Sequence, residues 1–192
     1  MTVLVLGLLL FLGMHSARIV AEGTRTGFIA ARGEKAWKGL YTLVSVLGFG
    51  LVVWGYGLAR QQPVVLWASP TWTRHLAALL MLPSFVLLTA AYVPGNGLKA
   101  RLGHPMLLGV KTWALAHLLA NNTLADLLLF GGFLAWAVLC FRSARARDRA
   151  AGTRYPAGSA ARSGLTLVVG VIAWAVFGFW LHGPLIGVRP FG

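Results

Sequence analysis

The sequence predicts an all-α fold, a polytopic membrane bundle of about six transmembrane helices. Three observations predict it. The 192 residues are 58% hydrophobic and 11% charged, with mean hydropathy +0.75, whereas soluble domains carry about 25% charged residues. The apolar residues gather into runs that match the roughly 20 residues needed for one span. The basic residues fall between those runs, and they fall unevenly.

The first span is placed at 2–20, opened by the run MTVLVLGLLLFLG. Its first basic residue, Arg18, follows the apolar run, the wrong polarity for a cleavable signal peptide. The expectation is a first span whose amino end is exported. The second span is placed at 37–59 and the third at 73–93. Pro70 precedes the third, Thr71 or Thr73 is placed to cap it, and Pro94-Gly95-Asn96-Gly97 ends it. Pro83 lies inside that span and predicts a kink that neighbouring helices tolerate. The fourth and fifth spans, 104–121 and 123–141, are joined by a very tight turn near 121–123. The sixth is placed at 164–182. Linkers are expected at 21–36, 60–72, 94–103 and 142–163, the last a mobile basic loop lying on anionic lipid. One domain covering 1–192 is expected. Trp37, Trp67, Trp72 and Trp180 fall near span ends, as in an aromatic belt.

The charges test this count. If loops alternate sides, one face receives Arg18, Arg25, Arg32, Lys35, Lys38, Lys99 and Arg101, and also Arg142, Arg145, Arg147, Arg149, Arg154 and Arg162. The other face receives only Arg60, Arg74 and Arg189, and Lys111 is mid-span. The positive-inside rule then makes the rich face cytoplasmic and both termini periplasmic, in a bacterial inner membrane. The net charge of +13 is read as topology rather than as a nucleic-acid footprint. The single cysteine, Cys140, excludes an internal disulfide. The lack of C-x-x-C-H excludes covalently attached c-type haem.

Function is sought in the histidines. Residues 101–122 carry His104, Lys111 and His117 on one membrane-length helix, and ionisable groups in such a helix mark a functional site by default. His104 and His117 are 13 residues apart, about 20 Å along a helix, so no single metal is ligated by both. Depth sorts the histidines into a cytoplasmic pair, His15 and His104, and an exported trio, His75, His117 and His182. A histidine pair from facing helices suits haem b. Arg18, Arg25, Lys99 and Arg101 are then available to the propionates. Lys111 lies seven residues after His104 on nearly the same face and either meets a carbonyl or adds positive charge beside His104. The bland alternative for each histidine is a hydrogen bond to a backbone carbonyl. His117 and Asn121 share a face and suggest an interhelical hydrogen bond. Asp126, the only acid inside a span, stands three residues after Thr123 in a capping-box pattern, or else supports His117. No H-E-x-x-H occurs, which argues against zinc.

These residues carry a resemblance. G-H-P-M-L-L at 103–108, W-A-L-A-H-L-L-A-N at 113–121 and L-A-D-L-L-L-F-G at 124–131, with Met14-His15-Ser16-Ala17-Arg18, resemble the NnrU family over essentially the whole chain. The resemblance implies a bacterial membrane protein associated with denitrification and nitric oxide metabolism. Zeta-carotene isomerase, a membrane enzyme that holds haem b through histidines, is a relative of that family. That relation implies His15 and His104 as haem ligands and haem-dependent cis–trans isomerisation as an alternative activity. A non-enzymatic carrier of a hydrophobic small molecule, or an assembly factor for a respiratory-complex protein, is the other reading. G-H-P-M-L-L-G is also similar to the R-H-P-x-Y-x-G motif of membrane methyltransferases that bind S-adenosylmethionine. Here Leu107 stands at the tyrosine position and no Glu follows Glu34.

Overall fold

A computed structural model describes residues 1–191, and among them the named elements are helices, with no strand. In chain order they are α1 (Thr2–His15), α2 (Ala17–Val20), α3 (Glu22–Gln61), α4 (Thr71–Tyr92), α5 (Gly97–Leu102), α6 (Pro105–Ala120), α7 (Leu124–Ala150), α8 (Ala160–Val176), a π-helical turn (Phe177–Leu181) and α9 (His182–Ile186). The helices Glu22–Gln61, Thr71–Tyr92, Leu124–Ala150 and Ala160–Ile186 are long and apolar enough to cross a membrane, while Thr2–His15 and Pro105–Ala120 are shorter apolar helices. The fold is a helical membrane bundle.

Three linkers differ from expectation. The one at 94–103 contains α5, and the helix expected over 101–122 is divided at Gly103, whose φ of 73° suits glycine, leaving a 16-residue α6. Residues 22–36 are helical within α3 rather than a loop, because the stretch lacks proline and contains many helix formers. Gly33, at φ 82°, breaks it before the apolar part begins. Residues 142–150 likewise continue α7, since Ala and Arg both favour helix. Gly152, at φ 61°, follows its end. The first helix ends at His15 rather than near residue 20; Ser16 separates it from the single turn of α2, which Ala21 ends in non-helical geometry. The tight turn at 121–123 is as expected: Asn121 leaves α6 in extended geometry and α7 begins at Leu124.

Contacts divide the chain into two compact units, one of Met1–Trp67 with Asn122–Trp136, the other of Ala68–Asn121 with Ala137–Gly192. In the first unit α1 lies along α3 on a glycine seam. A Cβ at Gly48 would come within 2.7 Å of the Phe11 backbone nitrogen, and one at Gly55 would fall on the Leu4 backbone. Helices in lipid gain no hydrophobic drive toward each other and rely on such close approach. Leu4, Leu8, Val52 and Ala59 are buried along the seam. A Val64–Leu66 strip meets the 121–123 turn: Leu66 N donates to Asn122 O at 2.8 Å and Leu124 N to Val64 O at 2.8 Å.

In the second unit α4 packs against α6 and α8, again through small residues. Ser84 Oγ donates to Gly109 O at 2.9 Å across α4 and α6. A Cβ at Gly170 would come within 2.7 Å of Val86 Cα, and Trp174 Nε1 donates to Ala78 O at 3.1 Å. The Pro94–Gly97 turn is tied to residues 158–163. Ser159 N donates to Gly95 O at 2.9 Å and Gly97 N to Ser163 Oγ at 2.9 Å. Buried Asn96 holds the turn, its Oδ1 accepting from Lys99 N and its Nδ2 donating to Ala90 O.

Candidate functional site

The histidines divide by what their ring nitrogens touch. His15 ends α1, half-buried, with Nδ1 2.7 Å from Phe11 O. A carbonyl only accepts, so Nδ1 carries the proton and Nε2 carries the lone pair. Aromatic rings surround it. Phe11 stacks on it at 4.2 Å, Tyr41 lies at 5.1 Å, and Trp136 meets it edge-on at 6.0 Å. Trp136 Nε1 is buried without a hydrogen-bond partner among the described residues, as is Ser45 Oγ from α3. Buried donors are normally satisfied. An unsatisfied one on a ring that meets the imidazole marks a place able to take a polar group. Arg18, three residues on in α2, is exposed.

His104 has a different setting. It is the residue before α6, with Pro105 at the first helical position and Gly103 at φ 73° before it. Its Nε2 lies 2.9 Å from Asp148 Oδ2, on the part of α7 beyond the apolar run. Tyr155 Oη donates to the same Asp148 oxygen at 2.9 Å and lies 3.3 Å from His104 Nε2. Gly103 lets the Tyr155 ring approach, since a Cβ there would sit 2.9 Å from the ring. Burial and the adjacent Asp148 carboxylate push the Tyr155 phenol above its ordinary range, so it stays a donor. Iron ligation at His104 Nε2 requires that nitrogen to leave Asp148. Phe141 lies beside this cluster, edge-on to His104 at 6.3 Å and with Lys111 Nζ 5.0 Å from its ring centre. The Lys111 charge is thus held by a ring face. Arg101 is exposed at the end of α5.

His75, His117 and His182, expected on the exported side, are not gathered into a metal site: among the described residues no group of three or more His, Cys, Asp or Glu is placed to hold one. His75 is exposed in the first turns of α4. His117 Nδ1 lies 2.9 Å from Trp113 O and His182 Nδ1 2.6 Å from Val188 O. Asn121 donates to His117 O at 2.8 Å. That bond caps α6 from within, because Asn121 ends the helix and reaches its last carbonyls. Asp126 forms the capping box with Thr123: Thr123 N donates to Asp126 Oδ2 at 3.0 Å and Asp126 N to Thr123 Oγ1 at 3.3 Å. Its other oxygen accepts from Tyr56.

Sequence reasoning did not assign Asp148, Tyr155, Phe141 or Trp136. Asp148 carried a signal, as the only acid after Asp126. Trp136 carried none.

Close small-residue seams and histidines set at helix ends define a helical membrane protein with polar sites near its span ends. The chain matches the NnrU protein family over residues 3–190 and belongs to that family. No curated protein and no solved structure matches it significantly.

Proposed function

We propose that this NnrU protein is a haem-b-binding inner-membrane protein of nitrogen-oxide metabolism, with His15 as an axial ligand. The observation that carries the proposal is the His15 ring. Its Nδ1 is held by Phe11 O, its Nε2 keeps the lone pair, and three aromatic rings lie around it, Phe11 stacked, Tyr41 tilted and Trp136 edge-on. A ligating histidine is typically oriented by a hydrogen bond through its other nitrogen. The orphan Trp136 Nε1 fits the same group, as a donor for a polar atom brought in with it. Arg18 supplies an exposed cation for a propionate. When bound, the haem supplies an iron that binds small nitrogen oxides or exchanges an electron. The protein's part is to orient His15 and to exclude water with Phe11, Tyr41 and Trp136.

The topology belongs to the proposal as well. Both loop pairings join segments that the charge pattern assigns to one side: 64–66 with 122–124, and 95–97 with 159–163. This supports six spans, cytoplasmic basic loops and periplasmic termini.

The test is an absorption spectrum of detergent-purified protein, oxidised and reduced. A Soret band with split reduced α and β bands is expected, and His15→Ala is expected to remove it. Full haem content in a folded His15→Ala protein overturns the ligand assignment. Haem-free protein that retains a co-purifying respiratory subunit overturns the proposal in favour of an assembly factor.

A further inference from the structure

We propose that the cytoplasmic extension of α7 holds the headgroup of one anionic glycerophospholipid, gripped by Arg142, Arg145 and Arg149. The apolar part of α7, residues 124–141, is about 27 Å long at roughly 1.5 Å per residue, close to the ~30 Å hydrocarbon core. Arg142 therefore emerges where lipid phosphates lie. Arg142, Arg145 and Arg149 are spaced three and four apart, so they share one helix face. Together with Phe141 and Ala146 they line an open hollow of about 470 Å³.

The neighbouring charges are turned to other work. Arg147 Nη1 donates to Ser143 Oγ at 2.6 Å. Asp148, the one acid of this stretch, is taken by His104 and Tyr155. Among the described residues no carboxylate forms an ion pair with Arg142, Arg145 or Arg149. Three guanidinium forks thus line one concavity with no direct ion pair, Arg145 alone feeling the Asp148 charge at longer range, and such forks match phosphate oxygens in bidentate fashion. Ala146 keeps the middle of the hollow open. Phe141 gives it an apolar end on the membrane side, which suits the glycerol and upper acyl chain of a lipid. A soluble polyanion would gain nothing from Phe141.

The experiment uses the full chain in a zwitterionic detergent, with short-chain phosphatidylglycerol as probe and bound lipid counted by native mass spectrometry. One retained phosphatidylglycerol per chain is expected at concentrations where phosphatidylcholine is not retained. Arg142→Gln/Arg145→Gln/Arg149→Gln is expected to weaken that binding about tenfold or more, the factor that corresponds to ~1.4 kcal/mol. The charge-matched control Lys35→Gln/Arg154→Gln/Arg162→Gln is expected to leave it nearly unchanged. Equal weakening in the control overturns the proposal in favour of diffuse attraction. Equal retention of phosphatidylcholine overturns headgroup recognition. Displacement by equimolar inorganic phosphate assigns the hollow to a free anion instead. If the triple variant fails to fold, Arg142→Gln and Arg149→Gln, both at exposed positions, carry the test singly, and no loss of affinity in either overturns the site.

Discussion

His15 and His104 share a residue type and a predicted depth, yet their hydrogen-bond partners differ in kind. His15 is oriented by a backbone carbonyl four residues back and left with a lone pair among aromatic rings. His104 spends its Nε2 on Asp148 and Tyr155, two groups from a distant part of the chain. A local bond through Nδ1 leaves the other ring nitrogen of His15 available, whereas the long-range bond fastens His104 Nε2 to α7. The lesson is that depth in the membrane says where a histidine is, and only its partners say what it is for.

The largest expected effect would break the comparison outright. His15→Ala should abolish haem binding while His104→Ala retains most of it, read as Soret absorbance per chain in purified protein. Reversed or equal losses would mean that the two rings are not specialised as described.

Next is the seam that positions His15. Gly48→Val places side-chain atoms where α1 backbone already runs. Such overpacking should cost about 1–3 kcal/mol or more, seen as a lower midpoint in thermal unfolding in detergent. Haem content should fall with it, because Phe11 and His15 move together. Gly39→Ala, at an open position of the same helix, should change neither.

A smaller effect is expected at the fastening. Asp148→Asn should free Tyr155 and His104 from their shared acceptor and raise trypsin cleavage after Arg154 severalfold in inverted membrane vesicles, with haem content unchanged. Cleavage in right-side-out vesicles instead would contradict the assigned topology.

The smallest effect is a pH response. Tyr155 is shifted upward by burial and Asp148, so its contribution is complete below the ordinary phenol value and is lost only as pH rises through the shifted one. Protection of Arg154 from cleavage should therefore hold to about pH 10 and fail above it, and Tyr155→Phe should be poorly protected throughout, without that pH step. A protease that remains active at high pH provides the measurement.

Much of the fold was legible because lipid imposes a simple grammar of apolar runs and basic gaps. The turn at 121–123, the proline-marked entry to α4 and the Thr123–Asp126 cap were all readable from adjacent residues. The helical continuation of α7 was not, since arginine serves equally in a solvated loop and in a helix. The fastening depends on that continuation: in a loop over 142–163, Asp148 is one more solvated charge. Its partners are 44 residues away at His104 and seven away at Tyr155. Periodicity does not report a pairing of that reach. The orphan nitrogen of Trp136 was equally invisible, because an indole in a span reads first as an interface anchor.

The packing of α8 on α4 has a consequence for synthesis. Gly170 and Trp174 close against Val86 and Ala78, 84 and 96 residues earlier in the chain. At translation rates of roughly 5–20 residues per second, the earlier helix waits about 4–20 s for its partner. During that interval its small-residue face is open to lipid, to an insertase or to a wrong helix. The segment at 160–176 is thus the one that completes this packing, and a chain stalled before residue 170 should be inserted yet unfinished.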